Sequence, residues 1–193
     1  MNSIKLSAAA LIFTGSAFAD FAGASFTVEE AVSGYDTYRI FVSFTSPSDA
    51  LLAVNGDVAG GNSALSYNGG ELYNVRAFNA LADDTGEYAN SPLWDMTGDS
   101  YLTIGGQGDD TTFSPGFLED NADAFGQRVS GSSFTWENNG GYADFNPTSA
   151  AIDDGAGVLI AQLTVASGES IEFGGTASFN NADGELTFAS FVV

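Results

Sequence analysis

From Thr37 to Thr45 the chain reads TYRIFVSFT, and its side chains alternate with a period of two. Tyr38, Ile40, Val42 and Phe44 fall on one face, while Thr37, Arg39, Ser43 and Thr45 make the other face mostly polar. That is the pattern of a half-buried strand. Val158 to Val165 (VLIAQLTV) repeats it, grouping Leu159, Ala161, Leu163 and Val165 opposite Gln162 and Thr164. Ser100 to Ile104, Ser170 to Phe173, Thr176 to Phe179 and Leu186 to Val192 follow the same logic. No window carries a helical stripe longer than about ten residues. The only room for helix is in short turns near Leu72–Leu81 or Leu118–Phe125.

Turn chemistry separates the strands. Asn55-Gly56, Asn68-Gly69, Asn139-Gly140 and Asp183-Gly184 tolerate the positive φ of tight hairpin turns. Twenty-four glycines against four prolines describe a chain that reverses often. Eight to ten short strands then predict an all-β fold, a two-sheet antiparallel β-sandwich of jelly-roll or immunoglobulin-like type. Two loop-rich regions interrupt the pattern, Ala82–Asp99 and Gly105–Ser133, the second long enough to be functional or ion-ordered.

The first residues read as a leader. Lys5 supplies a positive start, Leu6 to Phe13 a short apolar stretch, and Ala17-Phe18-Ala19 the small residues that a signal peptidase reads. Residues 1–19 are therefore expected to be a signal peptide cleaved before Asp20, leaving residues 20–193 as one domain, secreted to the cell exterior. The apolar stretch is far short of the roughly 20 residues that a spanning helix needs, and no membrane span is expected later. With no cysteine anywhere, such a protein must be held by its core, or by core plus bound ions.

Charge narrows the function. The chain carries −21, with Lys5 its only lysine and Arg39, Arg76 and Arg128 its only arginines. Nucleic acid needs a cationic face, so no nucleic-acid partner is expected, and anionic membranes would repel the chain. The mature segment has neither histidine, cysteine nor lysine, which removes the imidazole, thiolate, amine and histidine-held metal that most catalysis relies on. The chain reads as a non-enzyme. Acidic residues are plentiful enough to protect sheet edges, which favours a monomer.

Three stretches carry a resemblance. Asp36-Thr37-Tyr38-Arg39-Ile40-Phe41-Val42 leads through Ser46-Pro47-Ser48-Asp49 into Leu51-Leu52-Ala53-Val54-Asn55-Gly56. Asp99-Ser100-Tyr101-Leu102-Thr103-Ile104-Gly105 is followed by an aromatic patch around Trp136, and then by Gly157-Val158-Leu159-Ile160-Ala161-Gln162-Leu163-Thr164-Val165. Together they resemble a loosely defined group of small, uncharacterised exported proteins from marine bacteria, chiefly planctomycetes. The resemblance implies an extracellular β-sandwich and supplies no catalytic residue. Members often end in a Pro-Glu-Pro sorting tail; none follows Val193, so anchoring by that route is not expected.

Two residue types remain for a site. Asp109, Asp110, Glu119, Asp120 and Asp123 are the candidate metal ligands, because calcium takes six to eight oxygens and acidic, Gly/Asn-rich loops supply them. Calcium is the one cofactor to consider. Asn181 to Glu185 imitates part of a calcium loop but reads better as a hairpin turn. Trp94, Trp136 and Tyr142 are the candidate ligand-binding aromatics, since sugar rings stack on exposed aromatic faces. The leading expectation is a structural or adhesive extracellular protein whose partner is a glycan or matrix. The alternative is a carbohydrate-binding module, which requires at least two of those three aromatics exposed and coplanar. Third is a carboxylate-only hydrolase, which requires two buried acids in one cleft. Asp84-Thr85-Gly86 matches the aspartic-peptidase tripeptide but has no second copy.

Overall fold

A computed structural model describes residues 21–56, 64–74, 98–105, 111–113, 127–136, 140–144, 155–181 and 183–193. Within these residues every regular element is a strand: β1 Phe21–Val32, β2 Tyr35–Phe44, β3 Ala50–Asn55, β4 Leu65–Gly69, β5 Tyr101–Gly105, β6 Thr111–Phe113, β7 Gln127–Arg128, β8 Ser133–Trp136, β9 Gly141–Asp144, β10 Val158–Ala166, β11 Ile171–Asn180 and β12 Leu186–Val192. All pairings are antiparallel, and they form two sheets packed face to face. Sheet A has the order β1-β2-β10-β5-β7; sheet B has the order β6-β9-β3-β11-β4-β8, with β12 beside β11. The fold is the antiparallel β-sandwich that the alternation predicts.

β2 keeps the predicted period, with Ile40, Val42 and Phe44 buried and Tyr38 packed against them. β10 does not. A bulge between Leu159 and Ala161 places Leu159 opposite Phe41 and Ala161 opposite Ile40, so Leu159 leaves the face that Ala161, Leu163 and Val165 share. The polar side of β10 is covered as well. Gln162 and Thr164 are buried, as are Thr37 and Ser100. The Thr37 and Thr164 hydroxyls lie 2.9 Å apart, and Ser100 Oγ accepts the Thr164 N–H at 3.0 Å. Arg39 bridges neighbouring strands on the same side, donating from Nε to Gln162 Oε1 at 3.0 Å and pairing with Glu29.

In sheet B, β3 and β4 lie end to end along one edge of β11, pairing with Thr176–Asn180 and Ile171–Gly174. The next strand is composite in the same way: β9 pairs with β3 and β8 pairs with β4. Both breaks fall at one level, where Gly56 N–H donates to Gly140 O at 2.9 Å. A Cβ on Gly56 would collide with the Trp136 carbonyl and lie 2.7 Å from Leu65 N; one on Gly141 would collide with Val54 O. Asn55-Gly56 is therefore the interruption of a composite strand and not a hairpin turn. Ser170–Phe173 and Thr176–Phe179 prove to be one strand, β11, running through Gly174 and Gly175. Asn181 to Glu185 is the β11–β12 hairpin turn, its Asn181 Oδ1 accepting from the N–H groups of Asp183 and Glu185.

Candidate functional site

The best-defined surface feature near the second loop is a set of aromatic rings at the β8 edge. The sequence Ser133-Phe134-Thr135-Trp136 alternates polar and aromatic, and the strand pairing sets Trp136 opposite Leu65 and Phe134 opposite Tyr67. Tyr67 in turn sits opposite Phe173 on β11. Opposed residues share a face, so all of these rings turn toward the core. Phe134 and Trp136 stack with centroids 4.2 Å apart and planes 22° apart. Tyr67 lies 5.4 Å from Phe134. Tyr67 and Phe173 are fully buried, whereas Phe134 and Trp136 are half-buried; among the described strands β8 borders only β4. The result is a half-buried aromatic ledge, anchored inward on Tyr67.

The hydroxyl of Tyr67 donates to Gly70 O. Burial pushes this phenol well above its ordinary value, and the carboxylates of Glu169 and Glu71 push it further. The hydroxyl therefore stays a neutral hydrogen-bond donor.

Tyr142 corrects an expectation. It lies on β9, is fully buried, and donates its hydroxyl to Ile160 O at 2.7 Å. Ile160 is the extra residue of the β10 bulge, so the bond ties sheet B to the irregular point of sheet A. Tyr142 is a core residue and offers no exposed ring. Trp136 is the described member of the aromatic trio that reaches the surface. Trp94 lies outside the described residues, as do Asp109, Asp110, Glu119, Asp120, Asp123 and the Asp84-Thr85-Gly86 tripeptide. Among the described residues no three acidic side chains gather as a metal site. Two carboxylates in the described part are buried, Asp49 and Asp99; they precede β3 in sheet B and β5 in sheet A.

Phe134 and Tyr67 were not singled out by sequence reasoning, although the polar–aromatic alternation of residues 133–136 carries the signal. Set against protein-family models, curated proteins and solved structures, the chain matches none of them.

Proposed function

We propose that the protein is exported and acts outside the cell as a non-catalytic structural or adhesive component, binding a glycan or matrix partner through its loop surface. The observation that supports this reading is the Phe134–Trp136 ledge. The Gly105–Ser133 loop region leads directly into β8, so its last residue adjoins a stacked, half-buried aromatic pair. A flat apolar surface with a polar indole tip is what interfaces and sugar sites use. Calcium is the ion proposed to order the loop, through Asp109, Asp110, Glu119, Asp120 and Asp123.

The same ledge supports a second reading, a carbohydrate-binding module, in which Trp136 stacks on a sugar ring together with Trp94. Binding to insoluble polysaccharides and to cell-surface material separates the two. Either partner is expected to hold the wild type and to lose about tenfold in affinity for Trp136→Ala, a change of about 1.4 kcal/mol. Soluble oligosaccharides that shift the indole emission favour the module; binding to matrix alone favours adhesion. If Trp136→Ala binds as the wild type does, the ledge is not the contact surface.

A further inference from the structure

A sheet edge is a row of backbone donors and acceptors, and folded proteins blunt such edges with charge, proline, bulges or short length. The described edges of this sandwich differ sharply in that respect. β1 has register shifts between Phe21 and Gly23 and between Glu29 and Val32, and it carries Glu29 and Glu30. β7 is two residues long and ends on Arg128, β6 is three residues long and β8 four. β12 has none of these devices. Its seven residues, Leu186–Val192, hold no charge and no proline, and they pair with β11 without a shift from Asn180↔Leu186 to Gly174↔Val192. In a chain carrying −21 this is a conspicuous neutral stretch.

The outward groups can be named. Phe173 and Val193 exchange both backbone hydrogen bonds, each at 2.9 Å. In an antiparallel ladder such pairs alternate, so Phe191, Ala189 and Thr187 also turn their N–H and C=O toward β11. Those of Leu186, Phe188, Ser190 and Val192 point the other way, where no other described strand lies. Leu186 and Val192 are also the exposed large hydrophobic residues of the described chain, at 56% and 55%.

We propose that β12 pairs antiparallel with β12 of a second copy of this chain, making sheet B continuous across a two-fold axis. The argument for a second copy is self-complementarity. Only outward residues can exchange bonds across the new contact. The register centred on Ala189 uses every one of them: Leu186 faces the second copy's Val192, and Phe188 faces its Ser190. The two most exposed apolar side chains then cover each other at both ends of a contact about 23 Å long. β12 itself brings no charge into the contact. The axis stands perpendicular to the sheet, so the two β1 edges approach too, and their bulges and glutamates keep them from joining. Association therefore closes at a dimer. This inference is independent of the loop-binding reading above.

Sedimentation of the purified protein over a concentration series, in low salt and in about 0.5 M salt, tests it. The dimer fraction is expected to rise with concentration and with salt, as screening relieves the repulsion between acidic copies. Ser190→Pro removes an outward N–H and leaves the backbone pairing with β11 whole, and Leu186→Glu sets a further negative charge at each end of the contact between two acidic copies. Each is expected to raise the dissociation constant at least about tenfold without altering the circular dichroism of the monomer. A protein that stays monomeric at millimolar concentration in high salt overturns the proposal, and so does a dimer indifferent to both variants. A monomer whose Leu186, Phe188, Ser190 and Val192 amides resist hydrogen exchange overturns it too, because another segment of the same chain then covers the edge.

Discussion

Tyr142 shows what a polar atom needs at the centre of an apolar sandwich. Its hydroxyl would cost more than a hydrogen bond returns if it lacked a partner, and the bulged Ile160 carbonyl supplies one. Tyr142→Phe is expected to cost about 1 kcal/mol at neutral pH, read from the denaturant midpoint. Burial also pushes the phenol well above its ordinary value of 10.0, and Tyr38 is raised by burial and by Asp36. Below pH 10 these phenols are neutral in both folded and unfolded chains, and their contribution is complete. Above it the unfolded chain releases protons that the folded one holds, so stability falls as pH rises. Denaturant midpoints measured from about pH 8 to about pH 11 should decline, less steeply in Tyr142→Phe. Equal slopes in the two proteins would remove Tyr142 from that account.

At the scale of elements, the composite strands of sheet B depend on glycine for a steric reason. Gly141 and Gly56 meet backbone, and backbone cannot rotate aside. Gly141→Ala is expected to cost about 1–3 kcal/mol, and Gly141→Asn at least as much. Gly34, in the β1–β2 turn, differs: it has φ +84° and nothing within 4 Å of a Cβ. Its requirement is conformational, so Gly34→Ala should cost about 1 kcal/mol and Gly34→Asn less, because asparagine tolerates that region. Thermal melts of the four variants check the contrast; a Gly34→Asn as damaging as Gly141→Asn would contradict it.

Strand legibility followed the same physics. β2, β5, β10 and β12 were readable from their apolar content, although a bulge shifts the period of β10 and β12 turns Ala189 and Phe191, not Leu186, to the core. β1, the longest strand, was not, because Ala22, Gly23, Ala24 and Ser25 blur the period and two register shifts break it. Gly174-Gly175 looked like punctuation between two strands. In the sandwich it lets Val192 and Leu65 pack close, with Cβ positions that would lie 3.0 Å from their side chains. The aromatic site was half legible: Trp136 was named from its residue type and the alternation of residues 133–136 signals its partner Phe134, but the pairing with β4 that sets both rings beside Tyr67 is not a local property.

For the whole molecule, the large negative charge makes the surroundings part of the stability. Melting in EDTA and then in excess calcium, at constant ionic strength, tests the proposed loop site. At about a hundredfold saturation one site adds roughly 2.7 kcal/mol, hence about 5–10 °C for a domain of this size. No shift would return the acidic loop residues to plain solvation.

The sequence by itself determined the class of fold, because a period of two and its turn residues are local properties of the backbone. It also determined what cannot hold the molecule or work in it, since no disulfide forms without cysteine and no imidazole acts without histidine. Only the tertiary structure decided that Tyr142 is core, that both sides of β10 are covered, and that β12 lies at a margin of sheet B among the described strands. Those outcomes rest on partners far away in the chain, such as Thr37 and Thr164, 127 residues apart. Alternation tells which residues share a face; it does not tell what lies against that face, or which strand is left at the margin.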